Sequence, residues 1–164
     1  MAITQVMPNG FKTGLMSCAH NFSASNRAVT ASTADTFKIA LYTSSATLDK
    51  TTTVYSATHE ITNTAGSSYV AGGIALTISP SPMGYTTGIY NDGYISFSPA
   101  VWTVADFTAR GALIYNYTNG GPAAGLAVAV LDFGIDKTVS GGGTFTVTFP
   151  TYAAGITVAA VQLS

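Results

Sequence analysis

The chain has 164 residues, enough for one domain that buries a sizeable core. Only 8% of them are charged, against about 25% in an ordinary soluble domain, and the net charge is -1. The six basic residues are scattered, so no stripe exists for nucleic-acid phosphates, and no apolar run reaches the roughly 18 residues of a membrane helix.

The first 35 residues stand apart. Phe11, Leu15 and Cys18 fall at i, i+4 and i+7 after Pro8-Asn9-Gly10, a short-helix pattern. Asn21 to Ala34 is polar, rich in small residues and without clear period. Residues 1–34 read as an N-terminal arm, with a β domain over 35–164. The arm carries Ile3, Val6, Phe11, Leu15 and Phe22, too much apolar surface for a solvated tail. It is expected to contact a neighbouring chain rather than its own β domain. The first residues lack a basic region followed by an apolar stretch, so a secretory signal is not expected. Cys18 is the single cysteine, which excludes an intramolecular disulfide and argues against a Cys-based zinc site. It is expected to be a small buried hydrophobe.

From Asp35 onward the chain alternates with period two. Phe37, Ile39 and Leu41 form the first run, and Thr53 to Thr62 a weaker one. Ile74, Leu76 and Ile78 lead to the breaker Ser79-Pro80-Ser81-Pro82, and Ile95 and Phe97 follow. Leu113, Tyr115 and Tyr117 end at the turn Asn119-Gly120-Gly121-Pro122. The run over 124–133 is apolar on both faces and is expected to be a central, covered strand. Phe145, Val147 and Phe149 alternate with Thr144, Thr146 and Thr148, and Ile156 opens the last run. Ser140 to Gly143 reads as a flexible hairpin turn before Phe145. Alternation of β-branched and aromatic residues punctuated by Gly and Pro predicts about eight strands with no long helices between them. The fold class is all-β, an antiparallel jelly-roll-like β-sandwich of about eight strands with an N-terminal arm.

Chemistry-bearing motifs are scarce. His20 and His59 have no partners at metal-ligand spacing, and no G-x-S-x-G elbow accompanies the many serines. Asp132-Phe133-Gly134 spells a kinase metal triplet without the rest of a kinase signature. Asp132 and Asp136 bracket a turn but offer only two carboxylates to a cation. No catalytic residue, cofactor or metal is expected. A hydrolase would have to use His20 or His59. Trp102 is expected in the core, whereas Tyr85 and Tyr90 lie in a Gly-rich loop and suit an interface. The candidate interface residues are Phe11, Leu15, Phe22, Tyr85 and Tyr90. In place of charge stand 25 Thr, 15 Ser and 17 Gly. A monomer keeps itself soluble with mixed surface charge, so this composition points to an oligomer, a shell or a fibre.

Several stretches carry a family resemblance. They are Asp35 to Thr43, Ala46-Thr47-Leu48, Tyr69-Val70-Ala71-Gly72-Gly73, Phe107 to Asn116, Ala127 to Gly134 and Gly143 to Pro150. In this order, over about residues 35–163, they resemble small virion-associated structural proteins of tailed bacteriophages. The resemblance implies a non-enzymatic particle component. The expectation is a cement or decoration protein on the outer capsid surface, a dimer or trimer that clamps neighbouring major capsid proteins. The alternative is a tail-fibre, spike or head-fibre domain that binds host glycan. Its mark would be exposed aromatics with convergent polar groups in a shallow groove.

Overall fold

The computed structural model describes residues 2–22, 34–62, 67–79, 84–85, 93–118, 125–150 and 161–163. One short helix, α1 (Asn9–Met16), precedes seven strands among these residues. They are β1 (Phe37–Tyr42), β2 (Ile74–Leu76), β3 (Gly84–Tyr85), β4 (Gly93–Ile95), β5 (Ala100–Asn116), β6 (Leu126–Val147) and β7 (Val161–Leu163). A four-stranded antiparallel sheet runs in the order β2-β1-β5-β6, and a three-stranded one in the order β3-β4-β7. Among the described residues the protein is all-β apart from α1.

Period-two alternation makes β1 two-faced. Phe37, Ile39 and Leu41 enter one core cluster, with Ile114 of β5 and Val128 of β6. Ala40 and Tyr42 enter a second cluster on the opposite face, with Leu113, Tyr115 and Val130. The sheet is therefore covered on both sides where β1, β5 and β6 lie together. Further along, β5 is one-sided. Ala100, Trp102, Ala105, Phe107 and Ala109 are buried, whereas Val101, Thr103, Val104, Asp106 and Thr108 are exposed. The register between Trp102 and Ala105 slips by a bulge, where Val104 adopts φ 55. The extra residue turns both Thr103 and Val104 outward.

β6 departs from its expected form in two ways. It is the edge strand of its sheet, not a central one. Its residues 127–130 are nevertheless buried, because both sheet faces are covered there and the N-terminal segment closes the edge. Val6 exchanges backbone hydrogen bonds with Val130 at 3.1 and 2.9 Å. Nor does Ser140 to Gly143 form a hairpin turn. The chain keeps pairing with β5 on either side of it, Phe107 with Val139 and Ala105 with Gly143. Gly141 and Gly142, at φ 65 and 74, absorb the surplus residues as a bulge. The weak run at 53–62 is a meander held by single bridges, Val54 to Leu126 and Tyr42 to Glu60.

The N-terminal segment packs on its own chain. Thr4 donates its backbone N–H to Leu48 at 2.9 Å, and Ile3 is 5% exposed within the second cluster. After crossing the β6 edge at Val130, the chain enters α1 and delivers Phe11 and Phe22 to the first cluster. Phe22 stacks on Phe37, with ring centroids 4.3 Å apart. Residues 2–22 thus wrap from one face of the sheet to the other.

α1 ends before its expected third apolar position. The amide of Ala19 donates to Gly14 O at 2.8 Å and that of Cys18 to Leu15 O at 3.3 Å. This is a Schellman cap with Cys18, φ 57, in the left-handed position. Cys18 is therefore exposed at the helix exit, not buried as expected.

Candidate functional site

The register of β1 against β5 gathers a group of tyrosines. Lys38 pairs with Tyr115, and the amide of Tyr117 donates to Thr36 O at 2.7 Å. Side chains two apart share a face, so Lys38, Tyr115 and Tyr117 lie together at one end of the second-cluster face. The 53–62 meander brings Tyr55 over them. Its ring stacks on Tyr115 at 4.7 Å and 20°. Tyr115 and Tyr117 meet edge to face at 6.4 Å and 82°, and the Lys38 ammonium sits 4.1 Å above the Tyr117 ring.

Behind this group lies Glu60, the single glutamate of the chain, 6% exposed. Its carboxylate accepts from the Tyr55 hydroxyl at 2.5 Å, the Tyr69 hydroxyl at 2.7 Å and the Gly72 amide at 2.7 Å. Three donors stand in for the solvation a buried carboxylate loses. The Tyr115 hydroxyl donates to Gly72 O at 2.7 Å, and that of Tyr42 to Ser56 O at 2.7 Å. Burial, reinforced by the Glu60 charge, pushes the Tyr55 hydroxyl up to about 12 and raises those of Tyr42, Tyr69 and Tyr115 as well. All four remain protonated donors at neutral pH.

Gly73 shows how tightly the adjoining turn is set. Its amide closes a turn onto Val70 O, and its φ is 65. A Cβ there would lie 1.8 Å from Ile39 O. Only glycine fits so close to the β1 backbone. Beside this turn lies a groove of about 330 Å³ lined by Lys38, Tyr55, Tyr115 and Tyr117, with Ala71, Gly72 and Gly125 completing the wall. Tyr117 is 39% exposed, Tyr55 and Lys38 are half-buried, and Tyr115 is buried. What the groove offers chemically is aromatic surface beside a single cation.

A second polar group ties the N-terminal segment down. The Asn116 amide donates to Asp35 Oδ2 at 2.7 Å and faces His20 Nδ1 at 3.3 Å, and the Asn21 N–H donates to the same Asp35 oxygen at 2.7 Å. His20 is buried, and its Nε2 has no partner among the described residues. Burial lowers its pKa, with the Asp35 charge opposing. The exposed His59 accepts the Thr43 hydroxyl at 3.2 Å on its backbone oxygen and not on its ring, and the His20 ring meets the Asn116 amide, so among the described residues neither imidazole is seen paired with a serine or threonine hydroxyl. The Asp132 carboxylate is engaged by the Gly134 amide at 2.9 Å and by Arg110 at 3.1 Å.

Of the expected interface residues, Phe11 is 0% and Phe22 6% exposed, both inside the core of their own chain, so neither ring can face a neighbour. Leu15 is half-buried against the same core. Tyr85 contributes its backbone to β3, opposite Gly93. Tyr90 lies outside the described residues. Trp102 is in the core, as expected, at 2% exposure. The groove residues Lys38, Tyr55 and Tyr117, and Glu60 behind them, were not expected as a site. Tyr69 to Gly73 drew notice as a motif, and its place beside Glu60 gives that motif a physical role. Comparison with protein-family models, with curated proteins and with solved structures gives no match.

Proposed function

We propose that this chain is a non-enzymatic structural protein of a phage particle, a cement or decoration protein on the outer capsid surface. It self-associates as a dimer or trimer and clamps neighbouring major capsid proteins. The observation that carries this reading is the outward face of the β5–β6 ribbon. Val101 and Val104 are 45% and 54% exposed there, among Thr103, Thr108, Thr138, Thr144 and Thr146. Asp106 is the one charged residue among the exposed positions of 101–108. Such a face makes poor solvent contact and good β-face contact.

Val104 strengthens the reading. A β-branched residue at φ 55 costs about 1–2 kcal/mol. The conformation brings an isopropyl group into solvent, which benefits a contact surface and not the core. The β6 edge is a weaker candidate for contact, because its bulges are devices that blunt an edge. A standard interface needs about 800 Å² per partner. For the fold we propose a jelly-roll-like sandwich of about eight strands.

The test is copy number. Hundreds of copies per purified particle, in fixed ratio to the major capsid protein, support the reading, and absence from particles contradicts it. The second reading is a fibre or spike domain that binds host glycan. The tyrosine groove favours it, and about a dozen copies per particle would support it.

A further inference from the structure

We propose that the groove between Tyr55, Tyr117 and Lys38 is a binding site for a single acidic sugar residue, a pyranose bearing one carboxylate. The inference deepens the glycan reading and is independent of the assembly role. Three features carry it.

The first is shape. Tyr115 and Tyr117 stand at 82°, and Tyr55 lies nearly parallel to Tyr115. Tyr115 itself is buried beneath Tyr55, so the accessible rings are Tyr55 and Tyr117, which stand steeply to one another as a corner, not a parallel slot. A flat nucleobase needs a parallel slot, whereas the C–H faces of a chair-shaped sugar suit a corner. The volume, about 330 Å³, suits one sugar residue.

The second is charge. Lys38 is half-buried, and among the described residues no carboxylate lies within ion-pair distance of it. Its ammonium is held over Tyr117 instead. One cation matches one carboxylate. A phosphate or a polyanion would call for more donors than the groove offers.

The third is rigidity. Tyr55 is pinned by Glu60 and Tyr115 by Gly72 O, so the platform loses little freedom when a ligand binds. The Gly72 backbone in the wall leaves space where a side chain would stand.

The probes are sodium glucuronate, methyl glucoside and sodium acetate, each titrated into the isotopically labelled full chain and followed by amide chemical shifts. Glucuronate is expected to give saturable shifts centred on Lys38, Tyr55, Gly72 and Tyr117, with weaker binding of methyl glucoside and none of acetate. Tyr117→Ala, at an exposed position, should weaken glucuronate about tenfold. Lys38→Met should erase the preference for glucuronate over methyl glucoside. Equal binding of the two sugars by the unmodified chain overturns the acidic assignment while leaving a glycan groove. Saturable acetate binding, shifts centred elsewhere or no saturable shifts overturn the site itself.

Discussion

Cys18 and His20 sit four residues from the core ring of Phe22 or closer, and each carries a distinct cost. Cys18 holds the left-handed cap of α1 at φ 57, a conformation that costs a non-glycine residue about 1–2 kcal/mol. Cys18→Gly should therefore raise stability by about 1 kcal/mol, read as a higher denaturant midpoint with unchanged slope. His20 links stability to pH. Its folded pKa lies below the ordinary 6.5, so the unfolded chain takes up the proton more readily. Stability is then full above about pH 6.5 and falls as pH drops below it. Denaturant midpoints between pH 7.5 and 5 should decline for the unmodified chain and decline less for His20→Leu. Equal slopes would remove His20 from the account.

At the scale of elements, β1 and the far half of β5 were legible because their alternation is clean. Phe37, Ile39 and Leu41 oppose Lys38 and Ala40, and Leu113 and Tyr115 follow the same rule. The first half of β5 was missed. Its outward positions include Val101 and Val104, so polarity does not mark the period, and the bulge at Val104 breaks the phase. Glycines 141–143 read as a turn because local chemistry favours one, but the length of β5 makes them a bulge. An apolar run cannot distinguish a central strand from an edge that a distant segment covers, and β6 at Val130 is the second case. The tyrosine groove was illegible for the same reason: Lys38 and Tyr115 meet only once the register of β1 on β5 is known. The β6 assignment can be tested. Val128 is 0% exposed, and Val128→Asp would bury an unpaired carboxylate at a cost of several kcal/mol. Soluble yield should collapse, whereas a folded variant would show that the strand is exposed.

For the whole molecule, the N-terminal segment acts as a strap. Ile3 fills one face of the sheet, Val6 closes its open edge, and Phe11 and Phe22 fill the other face. Each buried side chain of this kind contributes about 1.5–3 kcal/mol, so Ile3, Phe11 and Phe22 together match the stability of a typical domain. A chain starting at Asp35 should fail to fold cooperatively, as read by loss of a sharp thermal transition. Such a chain folding as well as the full one would return the segment to the role of a detachable arm. Both faces of the sheet are filled from within where β1, β5 and β6 meet, and the β6 edge is strapped at Val130, so among the described residues the Val and Thr face of the β5–β6 ribbon is the one the proposed assembly role would use.

Multi-angle light scattering on the full chain and on Val101→Glu, over micromolar to near-millimolar concentration, tests that claim most directly. The account predicts a defined dimer or trimer for the unmodified chain and a monomer with an unchanged melting curve for Val101→Glu. An unmodified chain that stays monomeric throughout, or an oligomer indifferent to Val101→Glu, would contradict it.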